Sequence, residues 1–308
     1  MTMDERILAR LAPARRDGGL RIAGKYVWCG TVMRAADRWH LFSSVWPERE
    51  APERYDAVEL LQNYWCLSTI VHAVADQPEG PYTPLEVVLE GRGGDHWIHE
   101  CCHNPCLVRA GDTYVLYFQT KGRAHDDRYI GYATASSLNG PWTLADAPLS
   151  LGYNVNNPAV WVEPDGAVRI IYRTPGMKLA VAVAPAYDAP YQILTDDLLP
   201  GVSLEDPFLY RLGGRYHLLV EDNRAQLTGD LRHGAHLVSD DGVRFELFEP
   251  EPKAYTHTIA WTDGGVTTVT RRERPWLILD AEGPTHLVTG VLAGGEAWSV
   301  VQPLAGSH

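Results

Sequence analysis

His103-Asn104-Pro105-Cys106-Leu107-Val108, Asn156-Asn157-Pro158-Ala159-Val160-Trp161 and Glu205-Asp206-Pro207-Phe208-Leu209-Tyr210 repeat one pattern: a polar pair, a proline, then apolar residues. Each is followed by a Gly-containing turn and a strand-like run: Tyr114-Val115-Leu116-Tyr117, Arg169-Ile170-Ile171-Tyr172 and Tyr216-His217-Leu218-Leu219. The prolines lie 53 and 49 residues apart (158 − 105 and 207 − 158). A period near that length, built from short β signals, predicts the blades of a propeller. A propeller gathers equivalent positions around one axis, so one polar pair per blade would meet in one pocket.

The repeat extends outward. Ile70–Asp76, Ile130–Ala135, Leu179–Ala184 and His236–Asp240 read as third strands, and most run into corners rich in Pro, Gly and aromatics, such as Asn139-Gly140-Pro141-Trp142. Turn pairs such as Gly111-Asp112, Asp165-Gly166 and Asp241-Gly242 punctuate the apolar runs, as an all-β chain requires. The gap from proline to second strand is nine residues (114 − 105, 216 − 207). Carried to Trp39 and Thr267, it places Gly30 and Thr258 at the proline position of two further units. The residue before is then Cys29, Asn104, Asn157, Asp206 and His257, and the one before that Trp28, His103, Asn156, Glu205 and Thr256. Five units predict an all-β, five-bladed β-propeller over residues 24–308. Residues 1–23 form an N-terminal segment with a short helix, where Ile7, Leu8 and Leu11 fall at helical spacing. Val291–Pro303, joined by Leu20–Val27, supplies closing strands. The inserts at Pro47–Asn63 and Lys121–Arg128 read as surface loops that could rim one face.

Composition narrows the function. A chain of 308 residues with 45% apolar content can bury a large core, and a net charge of −12 argues against nucleic acid and anionic membrane surfaces. Five cysteines, an odd count, and a charged N-terminus without a long apolar core point to reduced thiols in a cytoplasmic protein. No run reaches the roughly 18 apolar residues that span a membrane.

The pocket candidates follow from the register. Glu205 and Asp206 are the best catalytic candidates, because a carboxyl group in a partly dry pocket holds its proton and can act as a general acid. Strand alternation brings only one of two neighbours to the axis unless the strand start is irregular. His257 joins them as a proton carrier, and His103 as donor or sugar ligand. Trp28, His103, Asn104, Asn157, Arg173, Glu221, Arg272 and Glu273 are candidate substrate contacts, with Trp46 or Trp65 as further aromatic faces. Arg271-Arg272-Glu273-Arg274-Pro275 reads either as a buried ion network or as a site for a carboxylate or phosphate. Glu273, Glu221 or Glu100 could supply a second carboxylate. His99–Cys106 matches no common zinc spacing. No cofactor is required by this reading, though a single cation held by ring residues stays open.

With these residues in place, the chain resembles the five-bladed propeller glycoside hydrolases, such as families 43 and 117, over roughly residues 24–303. The resemblance rests on the blade repeat, the polar-pair-Pro starts, Glu205-Asp206-Pro207, and the Arg272-Glu273-Arg274-Pro275 run before Thr285-His286-Leu287. Family 43 enzymes resemble one another in a base Asp, a pKa-tuning Asp and an acid Glu from the first, third and fourth blades. By the register, Glu205 keeps the acid position, while Asn157 and Cys29 stand at the other two. Family 117-like enzymes use Asp and His in the central pocket, which Asp206, His257 and His103 would suit. The resemblance implies an exo-acting hydrolase of a small oligosaccharide or glycoside. A lyase, phosphorylase or isomerase on the same ring, and a non-catalytic carbohydrate-binding propeller, are the alternatives.

Overall fold

The computed structural model describes residues 5–48, 65–122 and 128–306. Most of the two expected rim inserts lies outside the described residues. The chain forms five β blades around one axis, as the repeat predicts. The first blade is β1 (Lys25–Ala35), β2 (Arg38–Pro47), β3 (Thr69–Ala75) and β4 (Thr83–Leu89). The second is β5 (Cys102–Ala110), β6 (Thr113–Lys121), β7 (Arg128–Ala135) and β8 (Thr143–Leu144). The third is β9 (Asn156–Val162), β10 (Val168–Thr174), β11 (Lys178–Ala184) and β12 (Gln192–Thr195). The fourth is β13 (Leu204–Leu212), β14 (Arg215–Asp222), β15 (Gly234–Ser239) and β16 (Glu246–Leu247), with β17 (Lys253–Tyr255) also paired to β15. A hairpin of β18 (Thr258–Ala260) and β19 (Val266–Thr268) follows. The fifth blade is β20 (Arg271–Leu279), β21 (Pro284–Ala293) and β22 (Glu296–Pro303). The inner strands β1, β5, β9, β13 and β20 are neighbours in that order, and β20 returns to β1, so the ring is closed.

The fifth blade corrects the register. Thr258 and Thr267 belong to the β18–β19 hairpin, outside the blade. The true fifth inner strand carries Glu273-Arg274-Pro275, a polar pair and proline like the others. The hairpin lengthens the last proline spacing to 68 residues (275 − 207), which is why a period near 50 missed it. His257 therefore does not hold the fifth ring position; Arg274 does.

The core sits in the seams between blades. Tyr117 and Ile130 of the second blade pack on Ile170 and Tyr172 of the third, and Val27 and Leu41 of the first on Val288 of the fifth. The N-terminal segment seals the outside of the fifth blade. Its helix, α1 (Ile7–Arg10), is a single turn, shorter than expected. Leu11 pairs with Leu304 and Leu20 with Ser299, while Arg10 donates to the carbonyls of Pro284 (2.8 Å) and Ala305 (3.0 Å). This strap covers an edge strand that would otherwise be open to pairing. Gly19 is required here, since a Cβ at that position would lie 1.8 Å from the Ser299 carbonyl oxygen.

Two buried histidine pairs occupy equivalent strands of the first and fourth blades. His40 Nδ1 meets His72 Nε2 at 2.9 Å, and His217 Nδ1 meets His236 Nε2 at 3.0 Å. Burial pulls His40, His72 and His217 down to about 4, and His236 to about 3. Their unfolded value is near 6.5, so the unfolded chain binds more protons between those limits. Stability from these groups is present above about pH 6.5 and is lost as pH falls toward 4, by about 3 kcal/mol for one histidine moved that far. Removing a pair with His217→Gln/His236→Gln is expected to flatten the fall of Tm between pH 6.5 and 4; parallel Tm profiles for variant and wild type would contradict this account.

Candidate active site

Every inner strand carries the same bulge at its polar pair. Three residues there oppose two on the second strand: Trp28–Thr31 against Ser44–Phe42, His103–Cys106 against Gln119–Tyr117, Asn156–Ala159 against Arg173–Ile171, Glu205–Phe208 against Glu221–Leu219, and Glu273–Trp276 against Gly290–Val288. The second residue of each pair is left-handed: Cys29 (φ 57°), Asn104 (50°), Asn157 (51°), Asp206 (52°) and Arg274 (56°). Asn and Asp tolerate that region better than most residues, which explains three of the five. A bulge breaks the two-residue alternation and re-aims side chains. Both members of the pair therefore reach the axis in four blades, and the irregular start overrides the simple alternation rule.

The second members form a hydrogen-bonded chain across the pocket floor. Asn104 Nδ2 donates to Asn157 Oδ1 (2.8 Å), and Asn157 Nδ2 to Asp206 Oδ1 (2.6 Å). Arg274 Nη1 reaches the same Asp206 oxygen at 3.5 Å. Cys29 Sγ lies 3.8 Å from Asn104 Oδ1, so all five blades contribute. The second strands brace the floor: Ser44 Oγ accepts from the Asn104 amide (2.8 Å), and Gln119 Oε1 from the Asn157 amide (2.9 Å). Gly290 has no side chain because a Cβ there would sit 2.7 Å from the Cys29 nitrogen and 3.0 Å from the Trp28 ring.

The first members, Trp28, His103, Asn156, Glu205 and Glu273, line the cavity with Trp46, Trp65, Gln119, Arg128, Arg173, Arg232 and Arg271. Its volume is about 200 Å³. That is below the roughly 300–1,000 Å³ of sites for drug-sized ligands, and suits one small ring. His103 stands between Trp46 and Trp65 (ring centroids 5.4 and 5.2 Å) and meets Ser68 Oγ at 2.9 Å. Burial, with the Arg274 charge adding to it, pulls His103 down to about 3. That favours a neutral hydrogen-bonding group, the ligand role of the two expected for it, over a proton carrier.

The carboxyl groups cluster on the fourth and fifth blades. One oxygen or more from each of Asp206, Glu221 and Glu273 lies within 4.8 Å of the others, and all three are buried. Burial, reinforced by the neighbouring acids, pushes Glu221 well up; burial likewise raises Glu273, against the opposing charge of Arg271. Burial raises Asp206 to about 7, although Arg274 opposes it. Each already faces a guanidinium: Arg232 on Glu221 (2.6 Å) and Glu273 (3.5 Å), Arg271 on Glu273, and Arg274 on Asp206 (3.5 Å). A divalent ion would sit among these cations, so the cluster suits shared protons better than a metal. Glu205 differs. It is part-exposed and held by Arg173 (3.3 Å), Asn157 Nδ2 (3.4 Å) and Asn223 Nδ2 (3.4 Å), three donors that match an ionised carboxylate.

Of the residues singled out from sequence, Trp28, His103, Asn104, Asn157, Arg173, Glu205, Asp206 and Glu273 converge on this cavity, and Glu221 backs it. Two do not line it. His257 lies in the connection between β17 and β18, where its Nε2 meets the Arg232 carbonyl oxygen at 3.1 Å. It can steady Arg232 but does not face the cavity. Arg272 points to the opposite side of β20, bonded to Thr289, Gln302 and the Thr256 carbonyl. Strand alternation after Arg271 sends it there. Glu100 is paired with Lys121 (2.7 Å) and is not part of the lining. Arg232 was missed, and no sequence signal marks it: it sits in the loop between β14 and β15 with a left-handed backbone (φ 59°). Among the described residues no helix is long and apolar enough to cross a membrane.

No family model matches the chain, and no curated protein matches it in sequence. Solved structures do match its fold. A thermostable family-43 glycoside hydrolase superposes with a TM-score of 0.64 at 12% identity, covering 96% of each chain. A family 117 glycoside hydrolase from the marine bacterium Zobellia galactanivorans gives 0.67 at 14% identity, covering 97% of this chain and 90% of its own. An endo-arabinase from Bacteroides thetaiotaomicron gives 0.62 at 12% identity, over 94% and 98%. At such identities the likeness establishes the architecture, and the chain has the five-bladed β-propeller fold that these glycoside hydrolases share.

Proposed function

We propose that this protein is a glycoside hydrolase acting on a small glycoside or oligosaccharide in the axial pocket. The observation that carries the reading is a pair of glutamates, Glu205 and Glu273, at equivalent cavity-lining positions of neighbouring blades. Glycoside hydrolysis needs one protonated and one ionised carboxyl group flanking the scissile bond. Glu273, buried and raised, is the proton donor to the leaving oxygen. Glu205, held by Arg173 and two amides, is the ionised partner that attacks the sugar or activates water. Asp206 lies below them, and the nearby Glu205 charge adds to burial in favouring the protonated form of Glu273. This differs from the family 43 expectation, which makes Glu205 the acid. The small cavity favours exo action on a terminal residue, and Trp28, Trp46 and Trp65 offer faces for the ring.

The test is a screen of aryl glycosides and disaccharides with Glu205→Gln, Asp206→Asn and His257→Ala as controls. Turnover by the wild type that Glu205→Gln abolishes and His257→Ala retains is expected. Sugar binding without turnover by any wild-type preparation would leave a non-catalytic propeller in its place.

A further inference from the structure

We infer that the pocket takes a glycoside whose reacting sugar carries a carboxylate. The inference rests on the hydrolase reading and names its substrate class. Its basis is the charge of the lining. Among the described residues, five arginines (128, 173, 232, 271 and 274) line the cavity against three acids, Glu205, Asp206 and Glu273, with a fourth, Glu221, behind them on Arg232. The protein as a whole is acidic, with a net charge of −12. A basic pocket in an acidic chain is a site built for an anion.

Arg274 carries the argument further. It is 7% exposed, at the pocket floor, and among the described residues it has one hydrogen bond of 3.5 Å to Asp206 and a buried Nε that no partner satisfies. A buried guanidinium left so poorly satisfied is costly unless a ligand oxygen completes it. Arg271 and Arg232 are on the same side and share Glu273. Together they present planar donors of the kind that read carboxylates in pairs. The aromatic faces come instead from the first blade, Trp28 on β1 and Trp65 in the β2–β3 connection, so a sugar could stack on either with its acidic group toward the fifth blade.

The chemistry agrees. The transition state of glycoside cleavage carries positive charge on the sugar. A neutral sugar would develop that charge beside several guanidiniums. A carboxylate on the same ring offsets it.

The experiment compares matched nitrophenyl glycosides differing only at C6, glucuronide against glucoside and galacturonide against galactoside, in both anomers and in phosphate-free buffer. A kcat/KM preference of roughly 100-fold for the acidic member of one pair is expected. Arg271→Gln should reduce that ratio at least about tenfold and Arg271→Lys less, a ratio being insensitive to the folded fraction. Hydrolysis that prefers the neutral member overturns the inference and leaves the hydrolase reading standing. Turnover of neutral glycosides that requires inorganic phosphate also overturns it, giving the arginines to a co-substrate. If nothing is cleaved, calorimetry with glucuronate and glucose decides: selective binding of glucuronate supports the anion site while the hydrolase reading fails, and equal or absent binding overturns both.

Discussion

Glu273→Gln is expected to lower kcat/KM on a nitrophenyl or alkyl glycoside by about 10²–10⁴, the range for loss of a positioned general acid. On a dinitrophenyl glycoside, whose leaving group departs without a proton, the loss should shrink to about tenfold or less. Glu205→Gln should lose a comparable factor on both substrates, because its task does not depend on the leaving group. The split follows from the two environments. Glu273 is buried among Asp206, Glu221 and two arginines, and burial holds its proton on. Glu205 is part-exposed and gripped by Arg173, Asn157 and Asn223. The pH dependence has a defined sign. The donor works only while protonated, so kcat/KM falls as pH rises through its pKa, which burial has raised. Arg271→Gln removes the largest opposing charge, so Glu273 keeps its proton to higher pH and the alkaline limb moves up. A leaving-group dependence confined to Glu205→Gln would exchange the two roles.

The propeller was legible because its signal is local and repeated. A polar pair before proline marks a bulge, and a strand follows after a fixed gap. What the residues could not show was which side of a strand each would face. Glu205 and Asp206 are adjacent, yet both line the cavity, because the left-handed Asp206 breaks alternation. Arg271 and Arg272 are adjacent in regular strand, so they part: one lines the pocket and one is buried behind it. The fifth pair was present in the sequence as Glu273-Arg274-Pro275. The β18–β19 hairpin imitates a blade start and shifts the count, so this pair falls outside the predicted ring positions. His257 was carried into the ring by that shift alone. Arg232, on an irregular loop, has no periodicity to reveal it.

Arg272 gives the second large effect, on stability. It is fully buried, and burial pulls its guanidinium down to about 10, so it stays charged at neutral pH. Its Nε donates to Thr289 Oγ1 (3.2 Å), Nη1 to the Thr256 carbonyl (3.1 Å) and Nη2 to Gln302 Oε1 (2.8 Å), while Tyr255 lies 5.3 Å beneath it. These contacts tie β20, β21, β22 and the β17–β18 connection into one unit. Gln302 also donates to the Ala12 carbonyl (2.7 Å), which couples the arginine to the N-terminal strap. Arg272→Met fills much of the space but leaves three buried acceptors without their donor, so a loss of about 3–5 kcal/mol in denaturant unfolding is expected. Because the side chain faces away from the cavity, kcat/KM per folded molecule should change by less than about threefold, the opposite of what a substrate contact would show. Unchanged unfolding with a collapsed kcat/KM would put Arg272 at the substrate after all. It would also require β20 to be turned by one residue, moving Arg271 and Glu273 out of the pocket together, so this variant tests the position of the proposed proton donor as well.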